Sequence, residues 1–132
     1  MPDAKPQAVH SPKPQGYDPN ARSLAVLSKA AIARLPEGER DGLADQWKRA
    51  SYSVVLNIAE GASRRGTREF RRFLDIARAS LHEIEAMLDL ALALGYFQPE
   101  ELTQVLATRE ECAKTVYGLL RKLADGPKAP GR

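Results

Sequence analysis

Six arginines, Arg64, Arg65, Arg68, Arg71, Arg72 and Arg78, fall within residues 61–80 and meet only Glu69 and Asp75 there, a local net charge of +4. A guanidinium offers a planar fork of donors that matches phosphate oxygens two at a time. Phosphate neutralisation by such groups releases counterions and supplies most sequence-independent affinity for nucleic acid. With 3.6 residues per helical turn, Arg68, Arg71, Arg72, Asp75 and Arg78 share the face opposite Phe70, Phe73 and Ala77. Arg64 and Arg65 stand just before it. Residues 79–95 hold no Lys or Arg and carry Glu83, Glu85 and Asp89. A helix dipole favours acids at the start and bases at the end, each by about 0.3–1 kcal/mol. This segment is charged the opposite way, as expected of a ridge kept for RNA or DNA phosphates. The competing reading is a solvated face with local pairs such as Arg71–Asp75 and Arg72–Asp75.

Other chemistry is poorly supplied. The chain has two histidines, His10 and His82, and Ala79 stands three residues before His82, so the Glu-x-x-His pairs of a di-metal bundle are missing. One histidine outside the N-terminal segment makes no Ser/His/Asp arrangement. The run Gly61-Ala62-Ser63-Arg64-Arg65-Gly66 joins two helical patterns and follows no strand, so it is neither a dinucleotide fingerprint nor a P-loop. Glu83 and Glu85 point to different faces. No enzyme, metal or cofactor is expected.

The elements that must position the arginines are helices. Leu24, Leu27, Ala31 and Leu35 predict a first helix from Asn20 or Ala21 to Leu35, with Asn20 as N-cap and Pro36 as stop. Leu43, Trp47, Ala50, Val54 and Ile58 step by three or four along a second, which Gly61 would close with a left-handed cap. A third runs from Thr67 to Gly95 on the stripe Phe70, Phe73, Leu74, Ala77, Leu81, Ile84, Leu88 and Ala91. A fourth starts after Gln98 with Pro99 first, Glu100 and Glu101 behind it, and a stripe of Leu102, Val105, Leu106, Cys112, Val116, Leu119, Leu120 and Leu123. No segment alternates with a period of two. The expected fold is all-α, an antiparallel up-down four-helix bundle over residues 21–125.

Composition agrees with one domain. The 132 residues are 43% hydrophobic and 28% charged with a net charge of +3, too small by itself to mark a nucleic-acid binder. Residues 1–20 hold five of the nine prolines and almost no bulky apolar groups, and predict a disordered tail, as do residues 126–132. The single cysteine, Cys112, excludes an internal disulfide and reads as core. There is neither an 18-residue apolar run nor a signal-like N-terminus, so no membrane contact and a cytoplasmic location are expected.

The second helix carries more apolar surface than one core needs. Tyr52, Val55, Leu56 and Ala59 project to its side or rear, the mark of a helix buried twice, and predict a contact between subunits. Asn57 interrupts the apolar run, and Glu60 opposes the dipole in the last turn. Both call for specific structural partners, an arginine of the next loop among them for Glu60.

Leu35-Pro36, Gln46-Trp47-Lys48-Arg49-Ala50 and Asn57-Ile58-Ala59-Glu60-Gly61, followed by Glu69-Phe70-Arg71-Arg72-Phe73-Leu74-Asp75-Ile76-Ala77-Arg78-Ala79-Ser80, Glu83-Ile84-Glu85 and Leu94-Gly95-Tyr96, form a specific combination. It resembles the bacterial four-helix bundle family of the 23S rRNA intervening-sequence protein over about residues 24–123. That family is similar to the accessory variability protein of diversity-generating retroelements, a basic pentameric barrel that works with a reverse transcriptase. The resemblance implies a homo-oligomer, a pentamer, without catalysis of its own, with its arginines toward RNA or DNA and a reverse transcriptase as a protein partner. The chain departs from the pattern at Val55, where the family often has proline, in the Ala-rich first helix, and in the Pro-rich N-terminal segment.

Overall fold

A computed structural model describes residues 18–124. Four helices fill it: α1 (Pro19–Ile32), α2 (Leu43–Ala62), α3 (Thr67–Ala93) and α4 (Thr103–Ala124). Short 3-10 turns at Glu37–Glu39 and Pro99–Leu102 lead into α2 and α4. No strand occurs among the described residues. The expected tails lie outside them, apart from the stretch from Asp18 to Asn20.

The chain makes a four-helix bundle in which each helix packs on the next and α1 returns to α4. Cross-links give the directions. Asp18 meets Cys112 and Arg34 meets Glu101, so numbers rise along α1 as they fall along α4. Ser80 donates to Ser53 at 2.8 Å, setting the register of α3 against α2. This is the pattern of antiparallel neighbours. The middles of the predicted stripes make the core: Leu24, Trp47, Val54, Leu74, Leu81, Ile84, Leu88, Leu102, Cys112 and Val116 are buried, joined by Met87 and Phe97, while Leu27, Ala31, Leu35, Phe70, Leu106, Leu119, Leu120 and Leu123 are only partly buried against it. At 27 residues α3 is about 40 Å long and spans the bundle.

Local rules explain the ends, with corrections. Asp18, not Asn20, caps α1: its carboxylate accepts from the Ala21 N–H at 3.2 Å, and Pro19 takes the first position. α1 stops at Ile32, with two further turn bonds before Pro36. Gly61 is no left-handed cap, since it lies inside α2. A Cβ there would come within 2.9 Å of Phe70 and Phe73, so the glycine permits close helix approach instead. The positive φ values belong to Gly66 (92°) and Gly95 (79°), at the entry to α3 and just after it. α2 is continuous through Val55.

Candidate nucleic-acid interface

The α2–α3 turn and the first turns of α3 carry the arginine ridge. Arg64, Arg65, Arg68, Arg71, Arg72 and Arg78 are all exposed. Their environments divide them. Arg64 pairs with Glu60, one helical turn back, and its guanidinium carbon stands 5.3 Å from the Phe73 ring centroid. Arg72 reaches Glu69 at 3.5 Å and lies 4.7 Å from the same ring. Arg78 pairs with Asp75 at 3.0 Å. The expected Arg71–Asp75 and Arg72–Asp75 pairs are therefore replaced by pairs three residues apart in which each acid serves a different arginine. Arg65, Arg68 and Arg71 have no ion-pair partner among the described residues.

Two consequences follow from this division. Half-buried Phe73 holds Arg64 and Arg72 by cation–π attraction, so two guanidiniums are restrained. Arg65, Arg68 and Arg71 stand exposed without either kind of partner among the described residues. A shallow depression lined by Arg68, Glu69, Arg71, Arg72 and Asp75 lies on this face. No side chain caps the N-terminus of α3, where Gly66 is the N-cap residue. Its free N–H groups add to the positive potential, because a helix start attracts anions.

The other singled-out residues fall into place around the ridge. Glu60 has its partner in Arg64, as expected from the next loop. Asn57 is satisfied within α2, donating to the Ser53 carbonyl at 2.8 Å and the Ser53 hydroxyl at 3.0 Å. His82 is exposed and lies 2.9 Å from the Tyr117 hydroxyl across the α3–α4 seam. On the outside of α2, Tyr52 is 42% and Leu56 64% exposed, whereas Val55 and Ala59 are half-buried and Val55 packs on the core.

The family model for the 23S rRNA-intervening sequence protein matches residues 19–118. The chain belongs to that family. The match covers all of α1, α2 and α3 and most of α4, so the region matched to the 23S rRNA-intervening sequence family spans both the arginine ridge and the outer face of α2 in this chain. No curated protein matches the chain. No helix among the described residues is long and apolar enough to cross a membrane.

Sequence reasoning missed one buried cation. Arg109 lies in the middle of α4, 6% exposed, and donates to the Leu81 carbonyl at 3.1 Å and to Glu110 at 3.1 Å. Glu85 stands 3.8 Å away. The signal was a gap, since the α4 stripe had no member between Leu106 and Cys112. Cys112, buried as expected, donates to Asp18 across 3.6 Å, and burial followed by the Asp18 charge pushes its thiol up to about 12.

Proposed function

We propose that this protein is a non-catalytic, oligomeric accessory module that binds nucleic-acid phosphates along the arginine ridge of α3. The observation that carries the reading is the set of unpaired guanidiniums, Arg65, Arg68 and Arg71, beside an uncapped helix start. Charge placed there works against the α3 dipole, and an incoming phosphate relieves that repulsion. Membership of a family named for an rRNA intervening sequence makes RNA the first polymer to test. The outer face of α2, led by Tyr52 and Leu56, supplies the contact between copies, with a homo-pentamer as the assembly. A ring presents several ridges at once, so weak contacts add through multivalency. A cytoplasmic location, and a reverse transcriptase as protein partner, complete the reading.

The test is binding of RNA and single-stranded DNA at low and high salt. The wild type binds, and its affinity falls along a log–log line whose slope grows with the number of phosphates neutralised. Arg68→Glu with Arg71→Glu removes binding and leaves the assembly intact. If the wild type shows no salt-sensitive binding to either polymer, the ridge is a solvated face and the protein is a scaffold for other proteins.

A further inference from the structure

Two apolar grooves of opposite charge flank the N-terminal half of α2. One lies between α1 and α2, lined by Ala25, Ile32 and Tyr52 with Lys29 and Lys48. The other lies between α2 and α3, lined by Met87, Leu90 and Leu94 with Glu39 and Glu83. The second is unusually open for apolar surface: Leu90 is 47% and Leu94 49% exposed. Glu39 is engaged by the Tyr96 hydroxyl and the Leu43 N–H, which leaves Glu83 as the open acid of its groove. Lys29, Lys48 and Glu83 have no ion-pair partner among the described residues, and Lys48 rests 6.0 Å from the Tyr52 ring centroid. Arg49, which lies between the grooves on α2, is paired with Asp45 at 2.9 Å.

The grooves overlap in height at one end, and the acidic one then extends past the start of α2. Ser53 faces Ser80 and Gly61 faces Phe70 and Phe73, so the helices run in opposite senses. Glu83, three residues past Ser80, therefore lies about one turn from Ser53 toward the start of α2, near the level of Lys48. The seams are adjacent, so they look in different directions. Two complementary surfaces that look in different directions are what a head-to-tail ring needs. A two-fold dimer would need one patch matched to itself.

We infer that the Lys29–Lys48–Tyr52 groove of one copy seats on the Glu83–Leu90–Leu94 groove of the next, joining copies by a heterologous interface. This rests on the oligomeric reading above, shares Tyr52 with it, and names the face that Tyr52 meets. The chain's arginine ridge is a poorer occupant of the acidic groove: Arg68, Arg71, Asp75 and Arg78 offer no large apolar side chain to fill it. The α1–α2 groove supplies both the charge and the apolar body, with the Tyr52 ring as its largest projecting group. Charge complementarity of this kind fixes partner choice and register.

A mixing experiment decides it. Tyr52→Asp spoils the basic groove and Leu90→Asp spoils the acidic one. Both sites are exposed, so each variant should keep its helical circular dichroism. In sedimentation each variant alone is monomeric, and the equimolar mixture gives a one-to-one heterodimer joined by the two intact grooves. Lys48→Glu weakens assembly about tenfold or more, and adding Glu83→Lys in the same chain restores it. Wild-type assembly without heterodimer formation overturns the inference, as does either variant dimerising with itself. A wild type monomeric at about tens of micromolar, a concentration at which contacts of ordinary strength persist, defeats the oligomeric reading on which it rests.

Discussion

The Tyr96 hydroxyl donates to Glu39 Oε2 at 2.7 Å, tying the chain just beyond α3 to the turn before α2. The other oxygen of that carboxylate accepts the Leu43 N–H at 3.1 Å, so Glu39 does the capping that Gly42 has no side chain to do. Hydrogen bonding by Tyr96 and then by Leu43 holds Glu39 below the ordinary carboxylate value of 4.5, and the same contact raises Tyr96 above 10.0. A lowered carboxylate stabilises fully above its unfolded value and loses that contribution as pH falls through the folded one. A raised phenol stabilises below its unfolded value and loses that contribution as pH rises through the folded one. The melting-temperature difference between wild type and Tyr96→Phe should therefore be greatest between these limits and shrink on both the acid and alkaline sides. A difference independent of pH would show that the hydroxyl contributes only packing.

The core of α3 gives a second expectation. Ile84 and Leu88 are wholly buried. Alanine at either should cost about 2–5 kcal/mol in denaturant unfolding, from lost transfer energy and the cavity left behind. Alanine at exposed Asp89 should stay within about 0.5 kcal/mol.

Gly61 gives a third. Alanine is the better helix former, yet a methyl group here meets Phe70 Cδ1 and Phe73 Cβ at 2.9 Å. Gly61→Ala should destabilise by about 1–3 kcal/mol, the usual scale of overpacking. It should also disturb Phe73, and with it the restraint on Arg64 and Arg72. A neutral or stabilising effect in thermal melts would mean that the helices part without strain.

Arg109 separates charge from shape. Arg109→Ala should cost about 2–4 kcal/mol through lost hydrogen bonds and packing. Arg109→Met, which fills similar space without a charge to desolvate, should be nearly neutral or stabilising. Equal losses in the two variants, measured by urea unfolding, would show that the guanidinium bonds outweigh desolvation.

The sequence announced the helices because each buries a single stripe, and stripes at three-to-four spacing are visible without a structure. Trp47, Val54, Ile84 and Leu88 lie where that spacing places them. Positions whose role depends on a neighbouring helix were hidden. Gly61 has the type of a cap, but its reason is the pair of phenylalanines across the seam. Arg109 has the type of a surface residue, but the Leu81 carbonyl offers it a buried acceptor. The ridge was legible as a cluster, since charge counts need no coordinates. Its division into restrained and unpaired arginines was not, because i,i+3 and i,i+4 partners compete and Phe73 tips the choice for Arg72.

The lone thiol at Cys112 offers a clock on the bundle's own opening. Held near 12, it supplies almost no thiolate at neutral pH, so an alkylating reagent must wait until α1 lifts and carries Asp18 away. The rate of single-site labelling then counts excursions of α1 from α4, helix by helix rather than by whole-molecule melting. Because α1 forms one wall of the α1–α2 groove, the same count would report how often that groove opens.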